Sequence, residues 1–155
     1  MEVTIMSQKM ASCYFPHPMR DNAGNTHLTV EHFMMARKAE LMQDKDTLAR
    51  ILAAKTPRAV KALGRKVQNW YEAKWLANRE VIVLEGMRLK VDQHADLAAA
   101  LRATRGMVLA EASLYDKLWG IGYASDHPNA KQPDKWKGAN LLGTLWMRVR
   151  DELGN

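Results

Sequence analysis

One stretch of the chain, residues 108–143, constrains the fold more than any other. A short apolar run, Met107–Leu109, predicts a strand that leads into it, and acidic, hydroxyl, aromatic and glycine residues follow too densely for a regular element. Gly120 and Gly122 permit backbone angles closed to other residues and the close approach of a ligand. Asn140 stands where it would cap a final helix, whose free N–H groups would face an anion or a carbonyl oxygen. The stretch therefore predicts a pocket.

Helical periodicity dominates the rest of the chain. The predicted helices are Val30–Met42, a short helix capped by Asp46 or Thr47 and running to Ala54, Pro57–Gly64, Tyr71–Val91, His94–Thr104 and Asn140–Leu153. Short strands are predicted at Val3–Met6 and Thr26–Leu28. The loop from Tyr123 to Lys137 is long enough to indicate a lid or a substrate-facing loop. We expect a mainly α fold: a single compact helical domain, residues 1–155, with a minor β component.

The composition favours a folded chain with anionic partners. Hydrophobic residues make up 47% and charged residues 26%, which excludes disordered and fibrous classes. The net charge of +6 favours phosphorylated sugars, ADP-ribose or nucleic acid as ligands. The basic residues are spread over several helical segments, however, so an ordinary solvated surface explains most of them.

Cellular location and cofactors are predicted from what the chain lacks. The N-terminal residues have no apolar signal-peptide core, and no run reaches the length of a membrane span, so a cytoplasmic location is expected. Cys13, the single cysteine, is expected to be a small buried apolar residue and not a nucleophile. No Cys, His, Asp and Glu cluster has convincing ligand spacing, so we predict no metal site and no cofactor.

Three motifs together carry a family resemblance. They are Thr29-Val30-Glu31-His32-Phe33, then Tyr115-Asp116-x-x-Trp119-Gly120-x-Gly122, and finally Gly138-x-Asn140-Leu141-Leu142-Gly143. Their residues, order and spacing resemble the NADAR (YbiA-like) family, named for association with NAD and ADP-ribose, over roughly residues 11 to 152. The resemblance implies an N-glycosidase, which cuts a ribose from a nitrogenous base.

Glu31 has two interpretations. By spacing alone, a carboxylate in the first turn of a helix complements the helix dipole. The resemblance implies instead that Glu31 is the catalytic acid or base. The chain departs from the family pattern at Cys13, where an asparagine is usual, and at Met35 and Arg37, where glutamines are usual; the latter two would alter specificity.

The resemblance implies roles for the other motif residues. Glu31 would activate water or protonate the leaving group, while Asp116 would bind ribose hydroxyls and stabilise the cationic transition state. Glu111 is a weaker third carboxylate, which would orient its neighbours or be purely structural. The remaining substrate-binding residues are Arg65 for phosphate, Trp70 and Trp119 for the base and ribose, and Gly120, Gly122 and Asn140 for the sugar or phosphate.

Two of these assignments have structural alternatives. Arg65 follows the glycine that ends a predicted helix, so it would equally satisfy the last carbonyl groups of that helix. Trp119 stands beside two glycines, where an aromatic ring often only fills space.

The family resemblance implies a substrate class and leaves alternatives. The first is a phosphoribosylamino-pyrimidine intermediate of riboflavin biosynthesis. The second is ADP-ribose attached to guanine in nucleic acid, which would make the chain an ADP-ribosyl hydrolase. The third is a non-catalytic ADP-ribose-binding module, although two carboxylates retained in their motifs favour an enzyme.

Overall fold

The computed structural model describes residues 1–7 and 17–154. The described residues fall into two units: a first unit of residues 17–94, and a second unit of residues 1–7 with 95–154. The predictions made for Cys13 lie outside the described residues. The prediction of a single domain over residues 1–155 stays a prediction.

Six α-helices, four short strands and one 3-10 turn make up the regular structure of the described residues. The helices are α1 (Val30–Leu41), α2 (Lys45–Ala53), α3 (Pro57–Gly64), α4 (Glu72–Gln93), α5 (Ala95–Arg102) and α6 (Leu141–Glu152). The strands are β1 (Val3–Ile5), β2 (Met19–Arg20), β3 (Thr26–His27) and β4 (Val108–Ala110), and the 3-10 turn is Pro133–Lys135. The predicted fold class, mainly α with a minor β component, is confirmed. Among the described residues no helix is both long and apolar enough to cross a membrane.

Helix α1 is the centre of the first unit, because it packs against α2, α3 and α4. Thr29, a residue type that favours the N-cap position, caps its start: the Thr29 hydroxyl accepts a hydrogen bond from the His32 backbone N–H at 3.1 Å. One buried core unites α1 with the helices that follow it, and its members are Met35, Ala36, Ala39, Met42, Ile51, Val60 and Val67. Polar side chains on α1 therefore project from a helix that this core holds in place.

The cap of α2 differs from the prediction. Asp44, and not Asp46 or Thr47, is the N-cap residue, and its Oδ1 accepts from the Thr47 backbone N–H at 3.1 Å. Its Oδ2 accepts from the Gln68 backbone N–H at 2.8 Å. Asp44 thus accepts hydrogen bonds from two segments that are distant in sequence. Residue spacing near α2 cannot reveal the second of these bonds.

The first ten residues of α4 also differ from the prediction. Val81, Leu84, Met87 and Val91 recur at helical spacing in the sequence, which predicts one buried face. Leu84, Met87 and Val91 are buried, but Val81 is 64% exposed. The buried stripe of α4 begins only at Ile82. Before that residue Leu76 and Val81 are exposed, and Trp75 is only partly buried against the core.

The second unit is built on a parallel pair of strands. Strand β1 pairs with β4 in the register Val3 opposite Val108. The strands pack into a small core with the chain that follows β4, and its buried members are Val3, Ala110, Ile121, Tyr123 and Ala130. Helix α6 packs against β4 and α5. The segment after β4 is therefore anchored at its start by a strand and at its end by a helix.

Candidate active site

Glu31 is a buried carboxylate in the first turn of α1. Its exposed fraction is 4%, so its position at a helix start does not make it a solvated partner of the helix dipole. The neighbouring His32 is buried as well, with its Nδ1 2.8 Å from the Thr29 hydroxyl. The turn that carries Glu31 is therefore fixed by the Thr29 cap and the His32 ring.

Three cations act on Glu31. Burial raises the pKa of the Glu31 carboxyl above its ordinary value, and the charges of Lys61, Lys38 and Arg65 oppose that rise. Burial thus makes the Glu31 carboxylate more basic, while the nearby positive charges favour its charged form. Both effects suit a group that accepts a proton.

Lys38 lies on a platform of two tryptophans. Its Nζ is 4.6 Å from the ring centre of Trp70 and 5.4 Å from that of Trp75. Burial lowers the pKa of Lys38, although the charges of Glu31 and Glu72 raise it. Since Lys38 is seven residues after Glu31 on the same helix, both side chains project from one face of α1.

Trp70 is held at the start of α4 by the backbone before it. Asn69 has a left-handed backbone with φ of 59°, and its side-chain amide donates to the Met42 carbonyl at 3.4 Å. The Trp70 indole N–H donates to the Glu72 carboxylate at 2.8 Å, while 41% of the residue stays exposed. The ring is therefore oriented and still open to a ligand, and it is not a core residue.

Arg65 immediately follows α3. Its backbone N–H donates to the Lys61 and Leu63 carbonyl oxygens and so ends the helix. The last carbonyl groups, predicted as an alternative partner of the Arg65 side chain, therefore bond to its main chain and not to its guanidinium. The residue is exposed. Its side chain is left to act on Glu31 through charge.

The second unit carries the other two carboxylates. Glu111 directly follows β4, and the combination of burial and the nearby Asp116 charge raises its pKa to about 7. Asp116 Oδ1 accepts from the backbone N–H groups of Leu118 and Trp119, at 3.0 and 2.8 Å. Asp116 therefore organises its own turn, and at neutral pH Glu111 is divided between its acid and its base forms.

Asn140 does not cap α6 with its side chain, contrary to the prediction. It is the residue before α6 and has a left-handed backbone with φ of 51°, but it makes no capping hydrogen bond. Its buried amide faces β4 instead: Oδ1 accepts from the Glu111 N–H at 2.9 Å and Nδ2 donates to the Leu109 carbonyl at 2.9 Å. Asn140 thus fixes the point where the strand ends and Glu111 begins.

The first N–H groups of α6 are not free to meet an anion, which is a second correction. Leu141 N–H donates to the Leu118 carbonyl at 3.1 Å, and Leu142 N–H donates to the Trp119 carbonyl at 3.0 Å. The backbone that precedes the helix pairs with the same segment, because Asn140 N–H donates to the Gly120 carbonyl at 3.0 Å. Backbone carbonyl groups occupy the place that the prediction gave to a ligand.

Glycines allow these two segments to approach. A Cβ at Gly120 would lie 2.8 Å from the Asp116 carbonyl oxygen, and a Cβ at Gly138 would overlap the Gly120 carbonyl oxygen. Gly122 has φ of 79°, which favours glycine. The close packing of the two backbone segments therefore requires glycine at position 120, where a side chain would collide. The ligand contacts predicted for Gly120 and Gly122 stay predictions.

The loop of residues 123–137 packs on itself. Tyr123 stacks on the exposed His127 ring with centres 4.1 Å apart, and Asn129 donates to the Tyr123 hydroxyl at 3.3 Å. The Trp136 indole N–H donates to the Ala130 carbonyl at 3.0 Å. A role for this loop as a lid stays a prediction.

The predicted site residues divide between the two units. Glu31, Arg65 and Trp70 belong to the first unit, whereas Asp116, Trp119, Gly120, Gly122 and Asn140 belong to the second. The sequence analysis did not single out three residues near Glu31. They are Lys38 and Lys61, whose charges act on Glu31, and Trp75, whose ring lies beside Lys38. The seven-residue interval from Glu31 to Lys38 was a usable signal, but nothing local connects Lys61 with Glu31.

Both departures from the glutamines of the family pattern have structural explanations. Met35 is buried and fills the space beside Gly64, where a Cβ would overlap its sulfur. Arg37 forms ion pairs with Glu40 and Glu85. An effect of either residue on specificity stays a prediction.

Comparison with known proteins gives a consistent family match. A family model described as the NADAR domain matches residues 2–154. The chain is 37% identical over 126 residues to an N-glycosidase of Acanthamoeba polyphaga mimivirus, covering 81% of this chain and 74% of the viral protein. It is 30% identical over 130 residues to N-glycosidase YbiA of Escherichia coli strain K12, covering 84% of this chain and 72% of YbiA.

A plant protein and a solved structure extend the match. The chain is 29% identical over 153 residues to the chloroplastic riboflavin biosynthesis protein PYRR of Zea mays, covering 92% of this chain but 23% of the plant protein. The NMR structure of the E. coli protein YbiA matches with a TM-score of 0.75 and 27% identity, covering 99% of this chain and 86% of that chain.

Proposed function

This chain belongs to the NADAR domain family and is a hydrolase of N-glycosyl compounds, and we propose that its substrates are phosphoribosylamino-pyrimidine intermediates of riboflavin biosynthesis. The observation that carries the proposal is the buried Glu31 carboxylate, which is acted on by three cations and accompanied by an open tryptophan. A phosphorylated glycoside with a flat base matches that set of groups. The riboflavin connection is supported by the name of the PYRR relative.

The proposed reaction is a hydrolysis. The oxygen of water forms a bond with C1′ of the ribose, the bond from C1′ to nitrogen breaks, and its electron pair leaves with the nitrogen. The departing nitrogen receives one proton and the attacking water loses one, so the products are a ribose phosphate and a free amine. Positive charge develops on the ribose during this step, and nearby carboxylates stabilise it.

We assign the residues of the first unit to water activation and phosphate binding. Glu31 accepts the proton of the attacking water, a role that fits its raised pKa. Arg65 and Lys61 neutralise the phosphate, for which the planar guanidinium of Arg65 offers two parallel hydrogen bonds. Trp70 stacks on the pyrimidine.

We assign the residues of the second unit to proton donation and sugar binding. Glu111 donates a proton to the departing nitrogen, because a carboxyl with a pKa of about 7 is partly protonated at neutral pH. Asp116 uses Oδ1 for its own turn, so Oδ2 is the oxygen proposed to bind the ribose hydroxyls. Trp119 keeps the base-and-ribose role that the family resemblance implies, and Gly120 and Gly122 keep theirs at the sugar or phosphate. Asn140 is buried and both polar atoms of its amide bond to the backbone at Leu109 and Glu111, so its proposed role is indirect: it positions Glu111.

A second candidate, hydrolysis of ADP-ribose from guanine in nucleic acid, is favoured by one observation. Trp70 and Tyr71 are adjacent and 41% and 63% exposed, and Lys38 lies over the Trp70 ring. Exposed aromatic rings beside basic side chains are typical of surfaces on which unpaired bases stack. A small phosphorylated substrate does not require the second ring.

The cytoplasmic location expected from the sequence also stays a proposal.

The experiment is a release assay with a defined substrate panel. Base and ribose release would be followed by chromatography from the riboflavin phosphoribosylamino intermediates, ADP-ribosylated DNA, NAD and free ADP-ribose. The Glu31→Gln variant is expected to lower kcat by about 10²–10⁴-fold, since it removes the proposed base while preserving the shape of the side chain. Glu80→Gln, an exposed carboxylate on α4, is the matched control and should retain activity.

Each result assigns a function. Release from the small intermediates that depends on Glu31 supports the proposal. Release only from modified DNA replaces it with the second candidate, and salt-sensitive DNA binding should then accompany activity. Binding of ADP-ribose without any turnover would identify a non-catalytic module and contradict both enzymatic proposals.

A further inference from the structure

A separate cavity of about 360 Å³ lies in the first unit, on the face of α1 opposite Glu31. Helix α1 lines it with Phe33, Ala36, Arg37 and Glu40, a spacing that marks one side of a helix. Glu31 is not among the lining residues. Neither Lys38 nor Trp70 lines it, so the cavity is distinct from the group proposed for catalysis.

The floor of the cavity is apolar. Leu48 and Leu52 contribute from α2, Leu89 from α4, and Phe33 and Ala36 from α1. The three leucines are only partly buried. A ligand with an apolar or planar body would remove this surface from water, which is the usual driving force for binding in a concave site.

The rim of the cavity is acidic, although the whole chain is basic. Among the described residues that line the cavity, Arg37 is the one arginine or lysine, and it is already paired: Nε lies 3.3 Å from Glu40 Oε2, and Nη1 donates to Glu85 Oε2. An anionic ligand would therefore compete with two carboxylates for Arg37. Both glutamates make these contacts through Oε2, so their Oε1 atoms remain to accept from a donor.

The turn between β2 and β3 completes the rim. Asp21 adds a third carboxylate, with Oδ2 2.8 Å from His27 Nε2 and Oδ1 accepting from the Ala23 and Asn25 backbone N–H groups. The His27 contact helps to keep the pKa of Asp21 below its ordinary value despite burial. Three carboxylates thus face one arginine and one histidine around the cavity.

We propose that this cavity is a second ligand site, which binds a small organic cation made of a primary amine or amidinium on an apolar or planar body. The cation is held by Glu40 and Glu85 at the rim, and the body covers Phe33 and the leucines of the floor. The volume lies within the range of small-molecule sites and admits a ligand of fragment size. The proposal does not depend on the hydrolase reaction.

The test is a titration of the whole chain followed by amide chemical shifts in NMR spectra. Benzylamine is the probe, and benzyl alcohol and benzoate have the same ring without the positive charge. We expect saturable shifts at Asn25, Arg37 and Glu85, with a Kd on the order of 1 mM for so small a ligand. Benzyl alcohol should bind at least several-fold more weakly, and benzoate should cause no saturable shift at these residues.

Variants decide whether the carboxylates are responsible. Together, Glu40→Gln and Glu85→Gln should weaken benzylamine binding by about tenfold, since each partly exposed charge contributes modestly. Glu40→Gln alone, at a 64% exposed side chain, serves if the double variant fails to fold. Glu80→Gln removes a charge from α4 outside the cavity and should leave the Kd unchanged.

Three results would overturn the proposal. They are equal binding of benzylamine and benzyl alcohol, saturable shifts centred on Lys38 and Trp70 instead of the cavity, and equal loss of affinity in Glu80→Gln and Glu40→Gln. None of these results depends on turnover, so failure of the second site leaves the hydrolase proposal untouched.

Discussion

The first unit surrounds its buried glutamate with cations, whereas the second unit places its glutamate beside another carboxylate. Burial raises the pKa of both Glu31 and Glu111. The charges of Lys61, Lys38 and Arg65 then limit the rise at Glu31, while Asp116 increases it at Glu111. The same residue type is thus adapted to two tasks by the sign of its neighbours, and the proposed base and acid follow from that difference.

The largest effect is expected from removing the side chain that fixes Glu111. Asn140→Ala leaves the Glu111 N–H and the Leu109 carbonyl without their partner and forces alanine into a left-handed backbone. The free energy of unfolding should fall by about 2–5 kcal/mol, measured by urea denaturation. Asn140→Gly is the matched control, because it removes the same amide without the backbone strain.

The two variants separate the causes. Asn140→Gly should be more stable than Asn140→Ala by about 1 kcal/mol and still less stable than the unaltered chain. If Asn140→Gly were as stable as the unaltered chain, the amide would contribute nothing to holding Glu111.

The next effect is a pH-dependent stability that belongs to Glu111. Its carboxyl has a pKa of about 7 in the folded chain and close to 4.5 when unfolded, so the unfolded state releases its proton first. Stability from this group is complete below about pH 4.5 and is lost as the pH rises through 7. Glu111→Gln should abolish this loss, which we place at about 3 kcal/mol. Parallel stability curves for the two proteins from pH 4.5 to 8 would contradict the assignment.

Opposite substitutions should move the two pKa values in opposite directions. Asp116→Asn removes the negative charge near Glu111 and should lower the pKa of Glu111, while its side-chain oxygen can still accept from Leu118 and Trp119. Lys61→Gln removes a positive charge near Glu31 and should raise the pKa of Glu31 further. Carboxyl ¹³C titration by NMR measures both. Shifts in the same direction would mean that neighbouring charge does not distinguish the two sites.

The smallest effect concerns Asp44, a carboxylate with a structural task. Hydrogen bonds from the Gln68 and Thr47 backbone N–H groups lower its pKa, so its stabilising contribution is present above the unfolded pKa and is lost as the pH falls through the folded one. Asp44→Ala should lower the Tm by a few degrees at pH 7. As the pH falls and Asp44 becomes protonated, the difference should shrink; a difference that stayed constant would implicate packing instead of charge.

The sequence predicted the helices well because each had a local signal. Thr29 and Pro57 mark helix starts, and the strands at Val3, Thr26 and Val108 were located to within one residue of their observed starts. The cap at Asp44 was missed because half of its purpose is the distant Gln68 N–H. The two-residue strand β2 carried no recognisable pattern.

The candidate site was predictable only where a motif was complete. The burial of Glu31 could not be predicted from sequence, because a glutamate in a first helical turn is ordinarily exposed. It becomes evident only from the packing of α1 against the other helices. Lys61 approaches Glu31 only through the tertiary packing of α3 on α1. The role of Asn140 was misread because a left-handed residue before a helix looks like a cap in sequence, while its amide actually serves a strand about 30 residues earlier.

The parallel pairing of β1 with β4 sets an order for folding. The pairing joins the beginning of the chain to residues that follow the whole first unit, and closing a loop of about 100 residues costs more entropy than forming any contact between adjacent helices. During synthesis the first unit is complete before β4 exists, so the buried surroundings of Glu31 can form early. The surroundings of Glu111 form only after the last third of the chain has emerged, and β1 lacks its β4 partner until then.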